Sequence, residues 1–513
     1  MLVLSRRPRA RRLLITAAAA TIAVAIAGCA PVADSADDAD RTLKISIAGS
    51  PPSFDPAQLD NGDSSYIWSS VFDTLLAFDL RGELQPNLAE SWEYSEDALT
   101  LTLTLRTDAT FSTGDPVVAA DVRDTLVRDQ TTPGLRQSEL ATVASIEAPD
   151  DATVVVTLSE PTPSLLSNLA MGLGAVGDPD TLDEERTALD PVGSGPYILD
   201  QDASVVGSSY VLERRDDHWN ADAYPFSTIN VRVIEDRQAA FNALQANELD
   251  FGLVQIDQIE AIEAAGFTTT VVEAGSIASL LILDREGELV PALGDVRVRQ
   301  AINMAFDRQL YVDQLLYGAG SPTVQLFNPA LGAYDPDLVD YYGYDVDGAK
   351  ALLADAGYPD GFAMTLPSTY FSTAFEPALT QSLSDIGVTV TWEPVPPQEV
   401  ASSLASKKYP MAWFFDGLNV PARELDNNFG PTGFLNPFAY QNEELNALVD
   451  TLAVTVDPDE ANVLYKQIND FIVENALSAP IMYLSTTWAT SEGVTFLQEG
   501  AGLATLRNFG TAE

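Results

Sequence analysis

The sequence predicts an α/β protein of more than one domain. The chain has 513 residues, of which 46% are hydrophobic, and a single hydrophobic core does not grow to serve a chain of that length. Strand and helix patterns alternate: residues 230–234 have the pattern of a strand, 236–247 of a helix and 249–253 of the next strand. This order is typical of α/β crossover units.

The first 40 residues have the pattern of a lipoprotein leader and a tether. Five arginines precede a 16-residue stretch, 13–28, whose only polar residues are two threonines. A basic region before a short apolar run is typical of a secretory signal, and the run is short for a membrane span. It ends in Ile-Ala-Gly-Cys, which resembles the bacterial lipobox. We therefore predict a signal peptide at 1–28, lipidation of Cys29, the only cysteine, and a flexible tether at 29–40.

Charge and hydropathy restrict the partners and the location. The net charge is −48, and a field of that sign repels phosphate, which argues against a nucleic acid partner. No segment after the tether has 18 consecutive apolar residues, so no further membrane span is predicted. We expect a protein on the extracytoplasmic side of the cell membrane, held there by its lipid.

Residues 295–318, near the middle of the chain, predict one long helix. Asp295 can accept hydrogen bonds from the first free backbone N–H groups, and Gly318 can adopt the left-handed conformation that ends a helix. A β-like run at 268–283 precedes it, so we expect the chain to cross between two lobes here. Apolar residues recur along one face of the predicted helix: Val298, Ala301, Ile302, Ala305, Phe306, Leu310 and Leu315.

Further elements are predicted on both sides of this helix. The run 99–105 alternates leucine and threonine, which gives a strand with one apolar and one polar face. A short helix at 347–357 is expected to begin at Asp347 and to stop at Gly357. The other predicted strands are 43–48, 153–158, 198–200, 210–214, 364–366, 388–392, 411–415 and 480–485. The other predicted helices are 65–76, 116–130, 374–386, 443–454 and 459–475.

Two short motifs suggest a cofactor or a metal, and neither has the required context. The sequence GLGAVG at 172–177 has the glycine spacing of a dinucleotide-binding loop, but that loop needs a strand before it and a helix after it. A helical pattern precedes it and Asp-Pro follows. The run DVDG at 345–348 hints at a calcium loop, whose first and bidentate ligand positions fall on Gly343 and Ala354. We therefore predict no cofactor and no metal.

Catalytic groups are equally hard to place. His218 is the only histidine, so a Ser-His-Asp triad would depend on it, and no nucleophile-elbow sequence is present. Acid pairs such as Glu424 and Asp426 could serve a glycosidase. With 75 acidic residues in the chain, closeness in sequence is weak evidence for such a site. We predict no catalytic residue and no enzymatic activity.

Seven further segments occur in a characteristic order over nearly the whole mature chain. They are PPSFDP at 51–56, PNLAESW at 86–92, LTLRTDATFSTG at 103–114 with ADV at 120–122, GSGPY at 193–197, LQANELD at 244–250, the stretch 295–320, and DGAKALLADAGY at 347–358. Together they resemble the solute-binding lipoproteins that serve peptide and nickel ABC importers, of the dipeptide and oligopeptide binding type.

The resemblance implies a two-lobe fold of the periplasmic-binding-protein type, class II-like, with an extra α+β subdomain in the first lobe. Lobe I would comprise residues 41–76, 191–285 and 491–513, the extra subdomain 77–190, and lobe II 286–490. A ligand would be enclosed between lobes that close about a hinge. The closed form would be recognised by a membrane permease, and the bound solute would leave unaltered.

The resemblance also implies ligand-binding residues. In peptide-binding members a Trp-x-x-Asp-Tyr segment supplies an aspartate that pairs with the peptide's α-amine. Residues 413–416 are similar, which makes Asp416 the candidate amine partner, with Trp413 and Phe415 as apolar walls. Gly417 stands where tyrosine is common, and the Asp-Pro that follows in the family is absent. The loop 49–54, with Ser53 and Phe54, is expected to pair with an extended ligand as an added strand does.

Three functions are compatible with these observations. The first is a monomeric lipoprotein that captures dipeptides or oligopeptides and delivers them to an ABC permease. The second is the same binding fold with a metal chelate, an opine or a glycan as cargo. The third is a cell-surface hydrolase, which would need acid and base residues that converge in the cleft, whereas a binding protein needs none.

Overall fold

The computed structural model of the protein describes residues 41–182, 185–431, 433–455, 457–498 and 504–512. The predicted signal peptide, Cys29 and the tether lie outside these ranges. No helix in the described ranges is long and apolar enough to cross a membrane.

The helices are α1 (Ser65–Val71), α2 (Ala119–Thr131), α3 (Leu135–Glu139), α4 (Leu165–Leu169), α5 (Pro179–Leu182), α6 (Arg237–Gln245), α7 (Ile259–Ala264), α8 (Val296–Met304), α9 (Arg308–Leu315), α10 (Val346–Asp355), α11 (Glu376–Asp385), α12 (Val400–Leu404), α13 (Pro421–Phe429), α14 (Glu443–Ala453) and α15 (Pro458–Glu474).

Strands of the described chain form one large sheet and several small ones. The large sheet has the order β16-β12-β17-β11-β1-β10-β9-β8, with β13 paired to β17. The strands are β1 (Thr42–Ile47), β2 (Leu76–Phe78), β3 (Leu84–Pro86), β4 (Ala89–Tyr94), β5 (Thr100–Leu105), β6 (Val143–Glu147), β7 (Thr153–Leu158), β8 (Tyr197–Leu199), β9 (Ser209–Arg214), β10 (Thr228–Val233), β11 (Phe251–Val254), β12 (Thr268–Ile282), β13 (Gly320–Pro322), β14 (Phe362–Ser368), β15 (Val388–Pro394), β16 (Met411–Gly417), β17 (Ala479–Thr490), β18 (Val494–Phe496) and β19 (Phe509–Thr511).

Two long antiparallel strands, β12 and β17, connect the two ends of the large sheet. The C-terminal part of β17 lies between β11 and the start of β12. The later part of β12 pairs with β16 on one side and the start of β17 on the other. Their register breaks between Val272 and Ser276, where Ala274 has a φ of +52°. A bulge of this kind bends a strand locally, so the backbone changes direction here between two groups of strands.

Separate hydrophobic clusters lie on the two sides of this bend. One contains Leu43, Val231 and Phe251 beside β1, β10 and β11. Another contains Ile302 and Met411 beside α8 and β16. The chain therefore folds around several hydrophobic clusters, as its length requires.

A four-stranded antiparallel sheet with the order β4-β5-β7-β6 has its own cluster. The leucines of β5 are buried and its threonines lie on the other face, as the alternation predicts. Helices α2, α3 and α4 accompany this sheet. Its core includes Leu126 of α2, Leu165 of α4 and Leu140, which directly follows α3. The ends of α3 and α4 therefore belong to the same packed body as the four-stranded sheet.

The prediction of one long helix at 295–318 is wrong, because the structure has two. Asp295 caps α8 as expected, and Val298 and Ile302 are buried. The helix ends after Met304, and Asp307 begins α9 by accepting a hydrogen bond from the Leu310 N–H. The break shifts the helical phase, so Leu310 is 51% exposed instead of facing the core.

Arg308 gives the physical reason for the break. Its guanidinium is buried, and its Nε donates to the carbonyls of Thr323 and Pro480, each at 2.9 Å. Its Nη1 donates to the carbonyl of Asn303, and its Nη2 donates to the Asn303 side chain, also at 2.9 Å each. The end of α8 thus bonds to an arginine instead of continuing its backbone ladder.

Two local predictions have different outcomes. Helix α10 is capped by Asp345, whose side chain accepts a hydrogen bond from the Gly348 N–H, and not by Asp347, which lies in the first turn. The stop at Gly357 is confirmed by a φ of +94°. The first acid of the DVDG run is therefore a helix cap.

The GLGAVG motif forms a 3₁₀ turn at Gly172–Gly174 directly after α4. A Cβ atom at Gly174 would lie only 1.8 Å from the carbonyl oxygen of Leu169. The glycine is required because two backbone segments meet there. In the structure this glycine therefore serves the packing of two backbone segments.

Candidate ligand-binding site

Strand β16 carries four of the predicted ligand-binding residues to the edge of the large sheet. It pairs with β12 so that Asp416 is opposite Ile277 and Gly417 opposite Ser276. The strand was predicted to end at residue 415, and it continues to Gly417. Asp416 thus lies within a regular ladder, and its backbone is fixed by hydrogen bonds to β12.

The aromatic residues of β16 differ in exposure. Trp413 is buried, and its ring lies 5.1 Å from that of Phe375 and 5.7 Å from that of Phe415, centroid to centroid. Phe415 is partly exposed and also packs on Phe375 at 5.3 Å. Trp413 therefore supports Phe415 from behind, and Phe415 offers the more accessible surface.

Asp416 is in a partly desolvated position. Its Oδ2 accepts a long hydrogen bond, 3.4 Å, from Nδ2 of Asn427 on α13. Burial raises the pKa of Asp416 to about 6, against opposing effects of the Gly417 backbone and of the Arg423 charge. A carboxylate whose ionised form is disfavoured by burial gains strongly from a cation placed beside it.

Glu424, on α13, is a second and more deeply buried acid of the same cluster. Its Oε1 accepts hydrogen bonds from the Asn419 N–H at 2.7 Å and from the Asn419 side chain at 3.2 Å. Burial raises the pKa of Glu424 to about 8, and the negative charge of Asp416 adds to the effect. Burial also raises the pKa of Asp426. Asp416 and Glu424 thus form a small acidic cluster that is short of positive charge, whereas Asp426, at i+2 from Glu424 on the helix, does not face it.

Arg423 is the nearby cation, and it extends away from the cluster. Its Nη1 donates to Oδ1 of Asn168 at 2.7 Å and lies 3.5 Å from Oε1 of Glu139. Glu139 is itself paired with the buried Arg136 at 2.7 Å. The positive charge of Arg423 is therefore shared with a third carboxylate, and it only partly offsets the charge of Asp416 and Glu424.

Ser53 and Phe54 lie in a loop that the protein holds firmly. The Phe54 N–H donates to the Ala188 carbonyl at 2.9 Å, and its buried ring packs edge-on against Tyr210. Ser53 Oγ accepts from the Asp55 N–H. Residues Gly49, Ser50 and Pro52 of this loop are exposed, so they are the part of it that an extended ligand could reach.

A series of charged residues on α2 and α3 lies between this loop and Arg423. Asp55 forms a two-pronged ion pair with Arg128, with both distances 2.7 Å. The next residue, Asp129, is buried, and burial raises its pKa to about 8 although Arg136 and Arg128 oppose the shift. The two segments that the sequence proposed as ligand-binding are thus linked by α2 and α3.

His218 has a structural role. It is buried, its Nε2 lies 3.1 Å from Oδ2 of Asp73, and its Nδ1 accepts from the Asn220 N–H. The accepted hydrogen bond at Nδ1 places the proton on Nε2, which donates to Asp73. A cavity beside this pair is lined by Tyr224 and Arg507 among others. None of its lining residues belongs to β16 or α13, so it is separate from the acidic cluster.

A family model described as "Bacterial extracellular solute-binding proteins, family 5 Middle" matches residues 83–436, more than half of the chain. The chain belongs to this family. The match includes β16 and α13. Proteins of family 5 are transport proteins and not enzymes: they bind small solutes outside the cytoplasm and act with the permeases of ABC importers.

Individual family 5 proteins are similar over nearly the full chain. The glutathione-binding protein GsiB of Salmonella typhimurium is 25% identical over 480 residues, which cover 89% of this chain and 92% of that protein. The structure of AgaA from A. tumefaciens R10, in complex with agropinic acid, is 26% identical with a TM-score of 0.74, covering 92% of this chain and 99% of that one.

The structure of HbpA2 from Haemophilus parasuis is 23% identical with a TM-score of 0.79, covering 92% of this chain and all of that one. These likenesses establish the two-lobe periplasmic-binding-protein fold for the family 5 protein described here. The sequence-based expectation of the family, of its fold and of a transport role without catalysis is confirmed.

The sequence predicts Asp416 directly after the strand 411–415, as a candidate ligand-binding residue, and gives no indication of its neighbours on α13. The sequence offers Glu424 and Asp426 only as a possible glycosidase pair, and no predicted role falls on Arg423 or Asn168. Proline at the first position of α13 is a helix-start signal that was available. The contact of Arg423 with a residue 255 positions away had no signal in a single sequence.

Proposed function

We propose that this family 5 protein captures dipeptides or oligopeptides and delivers them to an ABC permease. Asp416 receives the α-ammonium group of the peptide, Phe415 contacts its apolar part, and Trp413 holds Phe415 in place. Gly417, at the exposed end of β16, leaves room beside Asp416 where a tyrosine is common in the family. Gly49, Ser50 and Pro52 lie along the peptide backbone, and Ser53 and Phe54 hold their loop in place.

The observation that carries this proposal is the shortage of positive charge around the carboxyl groups of Asp416 and Glu424. Asp416 and Glu424 are both withdrawn from water, and the pKa of each is raised, to about 6 and about 8. Their nearest cation, Arg423, also serves Glu139. An ammonium group held by a desolvated carboxylate forms a charge-assisted hydrogen bond, which is among the stronger polar contacts in proteins. A cationic cargo therefore suits this cluster better than an anionic one.

Closure about β12 and β17 would enclose the peptide. The proposed lobe I comprises 41–76, 191–285 and 491–513, the extra subdomain 77–190, and lobe II 286–490. The register break at 272–276 of β12 lies near the boundary between lobes I and II, and Asp416 pairs with β12 just beyond it. A ligand that contacts both lobes favours the closed form by its extra affinity for that form.

An opine is the second candidate cargo. AgaA, 26% identical, is described in complex with agropinic acid, whereas GsiB, 25% identical, is described as binding glutathione, which is itself a tripeptide. Both cargo classes contain amino-acid-derived groups. The absence of the tyrosine and of the Asp-Pro after Asp416 is the sequence departure that keeps the opine in consideration.

We also propose that the protein is a lipoprotein, anchored through Cys29 and joined to the membrane by the tether 29–40, and that it acts as a monomer. The order of basic region, apolar run and Ile-Ala-Gly-Cys supports the anchor. A tether of this length lets the binding domains reach a permease in the same membrane.

The proposal is tested with the full chain and two defined probes, trialanine and N-acetyl-trialanine. Calorimetry should show that Asp416→Asn weakens trialanine binding by about 2–5 kcal/mol, because a buried charge loses its partner. The acetylated peptide, which has no ammonium group, should be affected little. Asp347→Asn, at an exposed position on α10, is the matched control and should bind like the native protein.

Native mass spectrometry of freshly purified protein gives an independent result. Copurified peptides would appear as a heterogeneous set of added masses. A single added mass that matches an opine would support the second candidate.

In the calorimetry experiment, unchanged affinity for trialanine in Asp416→Asn would remove Asp416 from the site.

A further inference from the structure

Helix α13 begins four residues after β16 ends, so it moves with the strand that carries Asp416. Its residue Arg423 extends to the body built around the four-stranded sheet. Nη1 of Arg423 donates to Asn168 Oδ1 at 2.7 Å and lies 3.5 Å from Glu139 Oε1. These contacts join residues 255 and 284 positions apart in the chain.

The two ends of this contact belong to separate hydrophobic clusters. Leu425 and Phe429 of α13 pack in a cluster with Ile277 of β12. Leu140 and Leu169, adjacent to Glu139 and Asn168, pack in the cluster of the four-stranded sheet. The contact of Arg423 is thus a polar link between two bodies, each with its own core.

Asn168 and Glu139, the two partners of Arg423, are held in place by the rest of their body. Asn168 is buried, and Glu139 is paired with Arg136 at 2.7 Å. Arg136 is buried in turn, and its Nη2 donates to the Leu59 carbonyl at 3.1 Å. Groups that are already oriented cost less conformational entropy when they bind a partner.

The neighbours of Arg423 in α13 connect this link to the acidic cluster. Glu424 follows it directly, and Asp426 lies one helical turn away at i+3. The side chain of Asn427 donates to Asp416. Any movement of α13 that breaks the contact with Asn168 therefore carries Asp416 and its neighbours along with it.

We propose that Arg423 is a positioning residue for cargo capture, which holds the β16–α13 unit against Glu139 and Asn168 in the closed form. This inference rests on the proposed function, because it assigns Arg423 to closure around the cargo that Asp416 binds. Arg423 acts on closure, which every cargo requires, because its hydrogen bond and its ion pair are with the opposite body. Asp416, in contrast, distinguishes cargo by its ammonium group.

Closure is measured directly by the distance between two spin labels. The labels are placed at Glu147 on β6 and Glu444 on α14, both exposed, each replaced by cysteine in the full chain with Cys29→Ser. Without cargo, Arg423→Gln and Asn168→Ala should both lower the population of the closed distance relative to the parent. Arg423→Lys, which keeps the charge, should restore part of it.

Arg297→Gln is the control for the loss of an arginine. Arg297 pairs with Asp295 at 2.6 Å on an exposed part of α8, so its replacement should leave the distance distribution unchanged. A closed population that is the same in the parent, Arg423→Gln and Asn168→Ala would overturn the inference.

Affinity supplies a readout that a general loss of stability would not reproduce. Arg423→Gln should raise the Kd for N-acetyl-trialanine by about tenfold for a lost charge-assisted hydrogen bond. It should raise the Kd for trialanine by less, because loss of the Arg423 charge also strengthens the attraction of Asp416 for an ammonium group. An Arg423→Gln effect confined to the free-amine peptide would place Arg423 at the amine site and contradict the positioning role. If Asp416→Asn has no effect while Arg423→Gln still opens the protein, the inference stands and the proposed function falls.

Discussion

Replacement of Glu424 by glutamine should stabilise the protein, and the gain should grow with pH. Glu424 is buried and its Oε1 accepts two hydrogen bonds from Asn419. The glutamine keeps that oxygen and removes the charge. Its amide nitrogen would lie near Asn428, whose Oδ1 has no hydrogen-bond partner in the described residues. A rotation of the Asn428 amide would let the new N–H donate to that oxygen, and it would break the hydrogen bond from Asn428 Nδ2 to the Glu424 carbonyl.

The magnitude follows from the pKa of Glu424. Burial, with the charge of Asp416, raises it from 4.5 to about 8, so the folded state keeps its proton up to about pH 8. The unfolded state loses its proton above about pH 4.5 and binds fewer protons in between. The free energy of unfolding of the native protein therefore falls as pH rises through this window. The slope is at most about 1.4 kcal/mol per pH unit.

Glutamine has no such proton, so the variant should gain about 3 kcal/mol over the native protein between pH 5 and pH 7. The gain should level off above about pH 8. The other charged groups that face Glu424 are Asp416 on β16, Arg423 on α13 and Tyr483 on β17, and all remain in the variant. The difference between the two proteins therefore reports the carboxyl of Glu424 together with its interaction with Asp416.

Scanning calorimetry of the cargo-free proteins at pH 5, 6, 7 and 8 measures this difference. With about 2 cal/mol/K of unfolding entropy per residue, each kcal/mol corresponds to a Tm shift of about 1 °C in a chain of this size. Glu443→Gln, at an exposed position in the first turn of α14, should show no pH-dependent gain. A Tm difference for Glu424→Gln that is constant across these pH values would refute the reasoning.

Two further changes test the packing and the anchor. Gly174→Ala should destabilise the protein by about 1–3 kcal/mol or more, because its Cβ would lie 1.8 Å from the Leu169 carbonyl oxygen. Chemical denaturation measures this loss. Gly343→Ala is the neutral control, because a Cβ at Gly343 would meet open space. Cys29→Ser should release the protein from the membrane fraction into the medium, measured by cell fractionation, and retention in the membrane would contradict the lipid anchor.

Local patterns predicted most of the elements around the site. Hydrophobic alternation placed β5, β7 and β12 within a residue or two of their bounds. In an alternating or β-branched run, the two-residue period of a strand determines which side chains face the core. Helix caps were less secure. Asp345 and Asp347 are equally good caps by composition, and the approach of Gly348 to Asp345 decided between them.

The failed prediction of one helix at 295–318 shows the limit of periodicity. The apolar spacing continued through Phe306 to Leu310, and nothing local forbade a helix there. Arg308, whose buried guanidinium binds the carbonyls of Thr323 and Pro480, made the break favourable. Those partners come from β17 and from the segment after β13, so the cause lies in tertiary contacts.

The sequence by itself determined the family, the order of the elements and the choice of Asp416 as a candidate, because motif order and side-chain period are properties of the chain alone. Tertiary structure decided the electrostatic character of the site. The residues that decide it come from three helices: Glu424, Arg423, Asn168 and Glu139. Burial raises the pKa of Glu424, and the closeness of Asn168 makes it the hydrogen-bond partner of Arg423. Desolvation and charge proximity depend on which segments the fold brings together, and no local pattern encodes them.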